Sequence, residues 1–386
     1  MRTDKTSAAG YQNFSSHVFL LGYILLVWLS TPATLNWQSK LIFWSFSLFL
    51  YWLVGLDYQK NNFVINRHWL WLPALLLVLT RLLPFFHWGE FPLAADAGVY
   101  IATFKPYVPI PVIYAFYILL NLSLGFGIYH IAKKYFDEKT AFFSLLIFSL
   151  SLSQFLTYWV FYAKMTVALL FSFLSIYLLE KKSWWAIPAS VLIGYFHPLT
   201  LLPFLLAILL FSVFKKEKRK FLAVNFISIL GISFIINWGD FLGYLYYTEK
   251  YLTGNYFKGI SEVLAGNFVQ IDFYQNFLAL IYLPFALLGF IRLIYNKKYD
   301  FLFFYALINF SLIYLNFIFH NRFIILLDIV FIILAGEVLL SFLKIVWINT
   351  SAKLVSFLIF IILSINLAYQ SWITEPLINK KELEEI

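Results

Sequence analysis

The sequence predicts an all-α protein: a polytopic membrane helix bundle whose outer loops carry short interfacial helices. Of the 386 residues, 62% are hydrophobic and only 12% are charged, whereas soluble domains carry about 25% charged residues. Apolar runs recur along the whole chain, and a helical crossing of the bilayer takes roughly 20 such residues. Helices satisfy their own backbone within lipid, whereas a β-barrel would show alternating segments of about 10 residues.

Taken in order, the apolar runs predict about 13 transmembrane helices, with several runs close to the minimum length for a crossing. The run at 15–32 is interpreted as a retained span and not a signal peptide, because further spans follow at regular spacing. One or two of the short runs are expected to be tilted pairs or re-entrant segments. The predicted spans are 15–32, 41–56, 69–84, 108–130, 140–157, 162–180, 184–197, 199–214, 221–237, 276–293, 300–318, 323–343 and 354–372.

These spans make residues 1–372 a single transmembrane domain, followed by a charged tail at 373–386. Lysine and arginine concentrate on alternate connections if the N-terminus is cytoplasmic, as the positive-inside rule predicts. Topology therefore explains the net charge of +9, which in a soluble protein would point to nucleic acid. The basic connections are those at 60–67, 133–139, 181–182, 215–220, 292–298 and 344–353.

The outer side then carries two large loops, at 85–107 and 238–275. The second loop is aromatic and weakly amphipathic, which predicts one or two helices lying on the membrane surface. Shorter outer turns contain His197 and the sequence His320-Asn321-Arg322. The chain has no cysteine, which excludes disulfides and thiolate metal sites.

Asp96, in the first outer loop, is the sharpest candidate for a catalytic residue, and Glu90 lies six residues before it. An acid near the bilayer surface can act as a base, bind a metal or hydrogen-bond a sugar hydroxyl. It can equally be a solvated loop acid. Because Asp96 has no neighbouring acid, the sequence does not support an Asp-x-Asp metal site. A divalent metal is the one cofactor considered, and the sequence gives no support for it.

Three basic residues at predicted outer span ends are candidates for binding an anion. Arg322 follows His320 and Asn321 directly and can fork onto a phosphate. It can also extend along the span to a lipid headgroup, as long basic side chains commonly do. Lys164 and Arg81 can likewise either bind a phosphate or extend to a lipid headgroup.

Three further ionisable residues lie at a helix break or inside a span. His197 precedes Pro198 at a break, where a histidine is more often a structural hydrogen-bonder than a ligand or base. Asp328 lies about 8 Å into its span, at 1.5 Å of rise per residue. An ionisable group at that depth is expected to face a cavity or a partner, and Glu337 raises the same expectation.

Together these features resemble the GT-C superfamily of integral membrane glycosyltransferases over residues 69–343. One difference is that the acidic loop follows the third predicted span here and the first span in that superfamily. The motifs that carry the resemblance are Arg81-x-x-Pro84, Asp96-x-x-x-Tyr100, Lys164, His197-Pro-Leu-Thr200 and His320-Asn-Arg-Phe323.

The resemblance implies transfer of a sugar from a polyprenyl-phosphate or polyprenyl-diphosphate carrier to a glycan or lipid acceptor, usually with inversion. It implies an extracytoplasmic active site in a prokaryotic cytoplasmic membrane. Asp96 would act as the base or would orient the acceptor. Arg322 and Lys164 would bind the phosphate of the donor. The remaining substrate-binding residues would be Glu90, Tyr100, Arg81, His197, His320 and Asn321.

Two other functions remain open from the sequence. A polymerase of the O-antigen or exopolysaccharide type would join lipid-linked oligosaccharides and would need two or more essential outer arginines. A transporter or flippase of lipid-linked saccharides would show inverted repeats and charges at the bilayer midplane. The sequence shows no repeat and no P-loop, G-x-S-x-G or H-E-x-x-H motif, so chemistry typical of soluble hydrolases is not predicted.

Overall fold

The computed structural model describes residues 70–88, 106–159, 162–239, 282–315, 317 and 319–343, together with residues 242, 243, 246 and 249. For residues 83–88, 321 and 341–343 it describes the backbone alone. Every regular element in these ranges is helical, which confirms the predicted all-α class. The predicted spans at 15–32, 41–56 and 354–372 and nearly all of the second outer loop lie outside the described residues.

The described helices begin and end close to the predicted spans. Helix α1 continues to Trp88 and so extends past residue 85, where the first outer loop was predicted to begin. A short 3₁₀ turn at Lys216–Lys218 precedes α8. In chain order the helices are α1 Trp71–Trp88, α2 Ile110–Tyr135, α3 Glu138–Leu150, α4 Leu152–Trp159, α5 Ala163–Glu180, α6 Ala186–Phe196, α7 Pro198–Phe214, α8 Arg219–Ile236, α9 Leu283–Tyr295, α10 Phe301–Tyr314 and α11 His320–Leu343.

Four helical stretches in the described part of the chain are long and apolar enough to cross a membrane: 110–135, 163–180, 216–236 and 322–340. Helices α3 and α4 would make a fifth span as a pair, although they are bent by 53° where they meet. The predicted span at 140–157 is therefore two helices that meet at a bend. Long apolar helices of this kind are typical of an integral membrane protein.

Helix α11 is the centre of the bundle and packs against α9, α3, α10 and α4. In its most apolar stretch of 18 residues, 89% of the residues are buried inside the protein. This is expected for a helix that is hydrophobic on all sides. Two glycines allow the closest approaches. A Cβ on Gly289 of α9 would lie 2.8 Å from the Leu334 carbonyl oxygen, and one on Gly336 would lie 2.9 Å from the backbone nitrogen of Ser144 in α3.

The basic connections that the structure describes, at 133–139, 181–182, 215–220 and 292–298, meet at one end of the bundle, called here the basic end. Lys218, just before α8, places its Nζ 2.6 Å from Oε2 of Glu180 at the end of α5. The Tyr135 hydroxyl at the end of α2 donates to the same carboxylate at 3.5 Å. Asp300 caps α10 by accepting a hydrogen bond from the backbone N–H of Phe303. Burial raises the pKa of its carboxyl to about 6, and the nearby negative charge of Glu180 also raises it.

We predict that Gly289→Ala destabilises the protein, because its Cβ would meet backbone that cannot move aside. Overpacking of this kind costs about 1–3 kcal/mol. Gly231→Ala in α8 is the matched control, since its Cβ would meet nothing within 4 Å and alanine is the better helix former. Thermal unfolding in detergent should show a lower midpoint for the first variant alone. Equal midpoints for the two variants would contradict the close α9–α11 packing.

Candidate functional site

Several of the predicted site residues lie where the structure gives no side chain. Asp96, Glu90 and Tyr100 fall outside the described residues, and Asn321 is described by its backbone only. Their roles therefore stay predictions. His320 is the first residue of α11 and is half-buried.

Lys164, His197 and Arg322 come together at the end of the bundle opposite the basic end. They are called here the cationic cluster, after the charges of Lys164 and Arg322. Burial, and after it the positive charges of Arg322 and Lys164, lowers the pKa of His197 to about 3. The two charges therefore reach the imidazole although the three residues are far apart in sequence. Helix α5, with 18 residues, carries the chain from this cluster to the basic end, a rise of about 27 Å.

Each member of the cationic cluster lies at the N-terminal end of a helix. Lys164 is in the first turn of α5, His197 is the residue before α7, and Arg322 is in the first turn of α11. The first amides of a helix carry partial positive charge and bind anions. Three such ends and the cationic side chains make the region strongly attractive to an anion.

The imidazole of His197 is fixed and neutral. Its Nδ1 lies 2.7 Å from the hydroxyl of Thr200, one turn into α7. Pro198 occupies the first helical position, where its missing N–H leaves no unmet hydrogen bond. With a pKa of about 3, His197 contributes no charge at neutral pH and acts as a hydrogen-bonding group.

Arg322 is held by aromatic rings. Its guanidinium carbon lies 5.5 Å from the ring centroid of Tyr162 and 5.3 Å from that of Phe319, within the range of a cation–π interaction. Phe319 has φ of 58°, an unusual backbone conformation for a bulky residue, in the turn that leads into α11. Among the described residues, Nε of Arg322 is buried without a hydrogen-bond partner.

Arg81 is fully buried, so the interpretation that it extends to a lipid headgroup is wrong. Its guanidinium carbon lies between 5.6 and 5.8 Å from the ring centroids of Phe148, Phe155 and Tyr158. Nη1 donates to the hydroxyl of Thr80 at 3.2 Å. Nε and Nη2 have no hydrogen-bond partner among the described residues, and an uncompensated buried charge is costly.

The Arg81 site and the cationic cluster flank the same connection between α4 and α5. Tyr158, which covers Arg81, stacks on Tyr117 with ring centroids 5.0 Å apart. Both tyrosines belong with Tyr114 to a buried cluster, and Ala163, the neighbour of Lys164, packs against that cluster. Two guanidinium groups with unused donors therefore lie on either side of one short stretch of chain.

Asp328 meets partners and not an open cavity. Its Oδ2 accepts from the Ser151 hydroxyl at 3.0 Å and from Gln154 Nε2 at 2.8 Å, and its Oδ1 accepts from the Tyr282 hydroxyl. The amide of Gln154 also donates to the Ile325 carbonyl at 3.2 Å. Asp328 thereby ties α11 to the break between α3 and α4 and to the residue before α9.

The partners of Asp328 were not predicted, although one signal was present. Ser151-Leu-Ser-Gln154 has the Ser-x-x-Gln spacing of a helix start, and the backbone N–H of Gln154 donates to Ser151 Oγ at 3.3 Å. Tyr282 carries no local signal. Glu337, the other acid predicted to need a partner, lies 3.2 Å from Nη1 of Arg292 in α9.

Within the described part of the chain, no three histidine or acidic side chains are placed to hold a metal ion. Compared with known proteins, the chain matches no family model and shows no significant similarity to any curated protein. The features at this end of the bundle are two basic side chains, a histidine and three helix N-termini.

We predict that Asp328→Leu lowers the thermal unfolding midpoint far more than Asp328→Asn. Leucine leaves the Ser151, Gln154 and Tyr282 donors without an acceptor in the core, at about 1–3 kcal/mol for each. Asparagine keeps one acceptor oxygen at the same place. Unfolding in detergent, followed by circular dichroism, measures the difference. A leucine variant as stable as the asparagine variant would show that the network contributes little to folding.

We predict that the imidazole of His197 does not titrate between pH 5 and 8 in the folded protein. Its pKa of about 3 is below the ordinary value of about 6.5, so the unfolded chain takes up a proton first. Stability from this group is therefore complete above about pH 6.5 and falls as the pH decreases. Carbon-13 histidine NMR, assigned with His197→Asn, tests this. An inflection near pH 6.5 for this resonance would contradict it.

Proposed function

We propose that the chain is a GT-C-type membrane glycosyltransferase, with a sugar linked to a polyprenyl phosphate or diphosphate as donor and a glycan or lipid as acceptor. The observation that carries the proposal is a pair of arginines with buried donors that have no partner among the described residues: Nε and Nη2 of Arg81 and Nε of Arg322. Arg322 lies in the first turn of α11, near the helix starts that carry Lys164 and His197. These lie at the end of the bundle away from the basic end.

A phosphate suits these groups. Guanidinium donates two parallel hydrogen bonds to phosphate oxygens, and helix N-termini add further donors. Two separate guanidinium sites offer a place for each phosphate of a diphosphate, or for one phosphate in two positions. A lipid carrier would lie against the apolar helices, and such a donor requires no nucleotide-binding domain.

The positive-inside rule assigns the basic end to the cytoplasm and the cationic cluster to the opposite side of the membrane. In this proposal the architecture comprises about 13 spans, with a GT-C-like core at 69–343 and outer loops at 85–107 and 238–275. The membrane would be the cytoplasmic membrane of a prokaryote.

The proposed chemistry is an inverting displacement. Asp96 takes the proton from an acceptor hydroxyl, whose oxygen attacks the anomeric carbon of the donor sugar. The bond to the carrier phosphate breaks, and the phosphate leaves with an additional negative charge. Arg322 and Lys164 would stabilise that charge as it develops, which is the usual way positioned cations lower such a barrier.

One observation also favours a polymerase that joins lipid-linked oligosaccharides. That function needs two or more essential arginines on the outer side, and Arg81 and Arg322 supply such a pair. Both reactions use a lipid phosphate as leaving group, and they differ in the donor, which is a single sugar in one and an oligosaccharide in the other. A transporter of the same lipids would bind them without breaking the bond.

We predict that Arg322→Ala and Arg81→Ala each weaken binding of a short-chain polyprenyl phosphate at least tenfold, about 1.4 kcal/mol. The affinity of Arg322→Lys should lie between those of Arg322→Ala and the wild type, because lysine keeps the charge but cannot donate two parallel hydrogen bonds. Arg219→Ala is the control, since Arg219 donates to the Ser212 and Val213 carbonyls at the basic end. Titration calorimetry in nanodiscs measures the affinity. An equal loss of affinity in Arg219→Ala would show that the phosphate does not bind at the end that carries Arg81 and Arg322.

We predict that Asp96→Asn abolishes sugar transfer while it leaves donor binding and the unfolding midpoint unchanged. Asparagine cannot accept the proton that the displacement releases. Release of polyprenyl phosphate from a radiolabelled donor in proteoliposomes measures turnover. Full turnover in this variant would eliminate Asp96 as the base, and movement of intact donor across the bilayer without release would identify a transporter.

A further inference from the structure

A second feature lies at the basic end, on the other side of the membrane from the cationic cluster. A groove of about 630 Å³ opens between α2 and α5, and that volume is within the usual range for small-molecule sites. Its floor includes Gly127 and Phe173, and its outer wall includes Leu174 and Tyr177, which are 45% and 42% exposed. The groove is therefore open on the surface of the bundle.

Gly127 shapes the floor of the groove. A Cβ at this position would lie 2.6 Å from Cδ2 of Phe173, so the ring lies directly on the backbone of α2. The space along the groove is lined mainly by apolar side chains of the two helices. An apolar groove of this kind between two membrane helices suits a hydrocarbon chain.

Two lysines close the groove at the basic end. Nζ of Lys134 on α2 lies 5.0 Å from the ring centroid of Tyr177, and Nζ of Lys181, just after α5, lies 4.3 Å from the same centroid. The tyrosine ring thus gathers the two ammonium groups at one place. Glu180 also lines the groove, but its carboxylate is already paired with Lys218 at 2.6 Å.

We propose that this groove binds an anionic phospholipid of the leaflet at the basic end. One acyl chain lies between α2 and α5, and the phosphate is held by Lys134 and Lys181. Basic pockets between membrane helices bind anionic headgroups in this way. The site is separate from the proposed donor site, so neither proposal depends on the other.

A second copy of the chain fits the groove less well. Two copies in one membrane keep their basic ends on the same side, so a helix pair across this groove would bring lysine against lysine. A free phosphate would use the two ammonium groups but none of the apolar wall. The combination of an apolar groove and a positive end matches a lipid on both counts.

The test is native mass spectrometry of the purified full chain with phosphatidylglycerol or phosphatidylcholine of the same acyl chains. We expect phosphatidylglycerol adducts to be retained at least fivefold more than phosphatidylcholine adducts. The double variant Lys134→Ala/Lys181→Ala should remove that preference. Lys216→Ala/Lys220→Ala, which removes two lysines at the same end outside the groove, should leave it intact.

A second pair of variants tests the acyl chain separately from the headgroup. Leu174→Trp places bulk in the groove and should reduce adducts of both lipids at least fivefold. Leu209→Trp, on α7 and 43% exposed, should reduce neither. Unfolding midpoints close to wild type confirm that each variant folds.

Three outcomes would overturn the proposal. The lysine double variant retains phosphatidylglycerol as the wild type does, or inorganic phosphate in excess displaces the lipid and binds with equal affinity. In the third outcome, the wild type forms dimers without lipid and Leu174→Trp makes them monomers, which would assign the groove to a second copy.

Discussion

The fold depends on the rule that a charge inside an apolar bundle must be paired. Asp328 lies on α11, the most buried helix, and accepts hydrogen bonds from Ser151, Gln154 and Tyr282. Because Ser151 lies between α3 and α4 and accepts from the backbone N–H of Gln154, the carboxylate is bonded to the chain at the 53° bend between these helices. The bend sets the direction of α4 and of the connection to α5, where Tyr158 covers Arg81.

Arg81 and Arg322 differ from Asp328 in this respect, since Nε and Nη2 of Arg81 and Nε of Arg322 are buried without a partner among the described residues. Aromatic rings surround both cations and offer partial compensation, but rings do not accept the in-plane N–H bonds of a guanidinium. The protein gives its buried acid three hydrogen-bond donors. It leaves donors of the buried Arg81 and the half-buried Arg322 without a partner among the described residues. That asymmetry is what an anionic substrate or ligand would complete.

The two ends of the bundle differ in how their cations are placed. At the basic end, Lys218 pairs with Glu180, and Lys134 and Lys181 lie against the ring of Tyr177. At the opposite end, Lys164 and Arg322 lie in the first turns of their helices, where their charges add to the partial positive charge of the helix N-terminus.

The sequence by itself determined the helical class, the positions of most described spans and the grouping of basic connections, because bilayer thickness and the cost of an unpaired backbone act on each segment separately. It also identified Lys164, His197 and Arg322 as candidates. The tertiary structure decided what depends on neighbours: the break at Ser151, the three partners of Asp328, the burial of Arg81 under Tyr158, and the meeting of Lys134 with Lys181 at one ring. Hydropathy measures how apolar a segment is, and not which side chains from distant segments face one another.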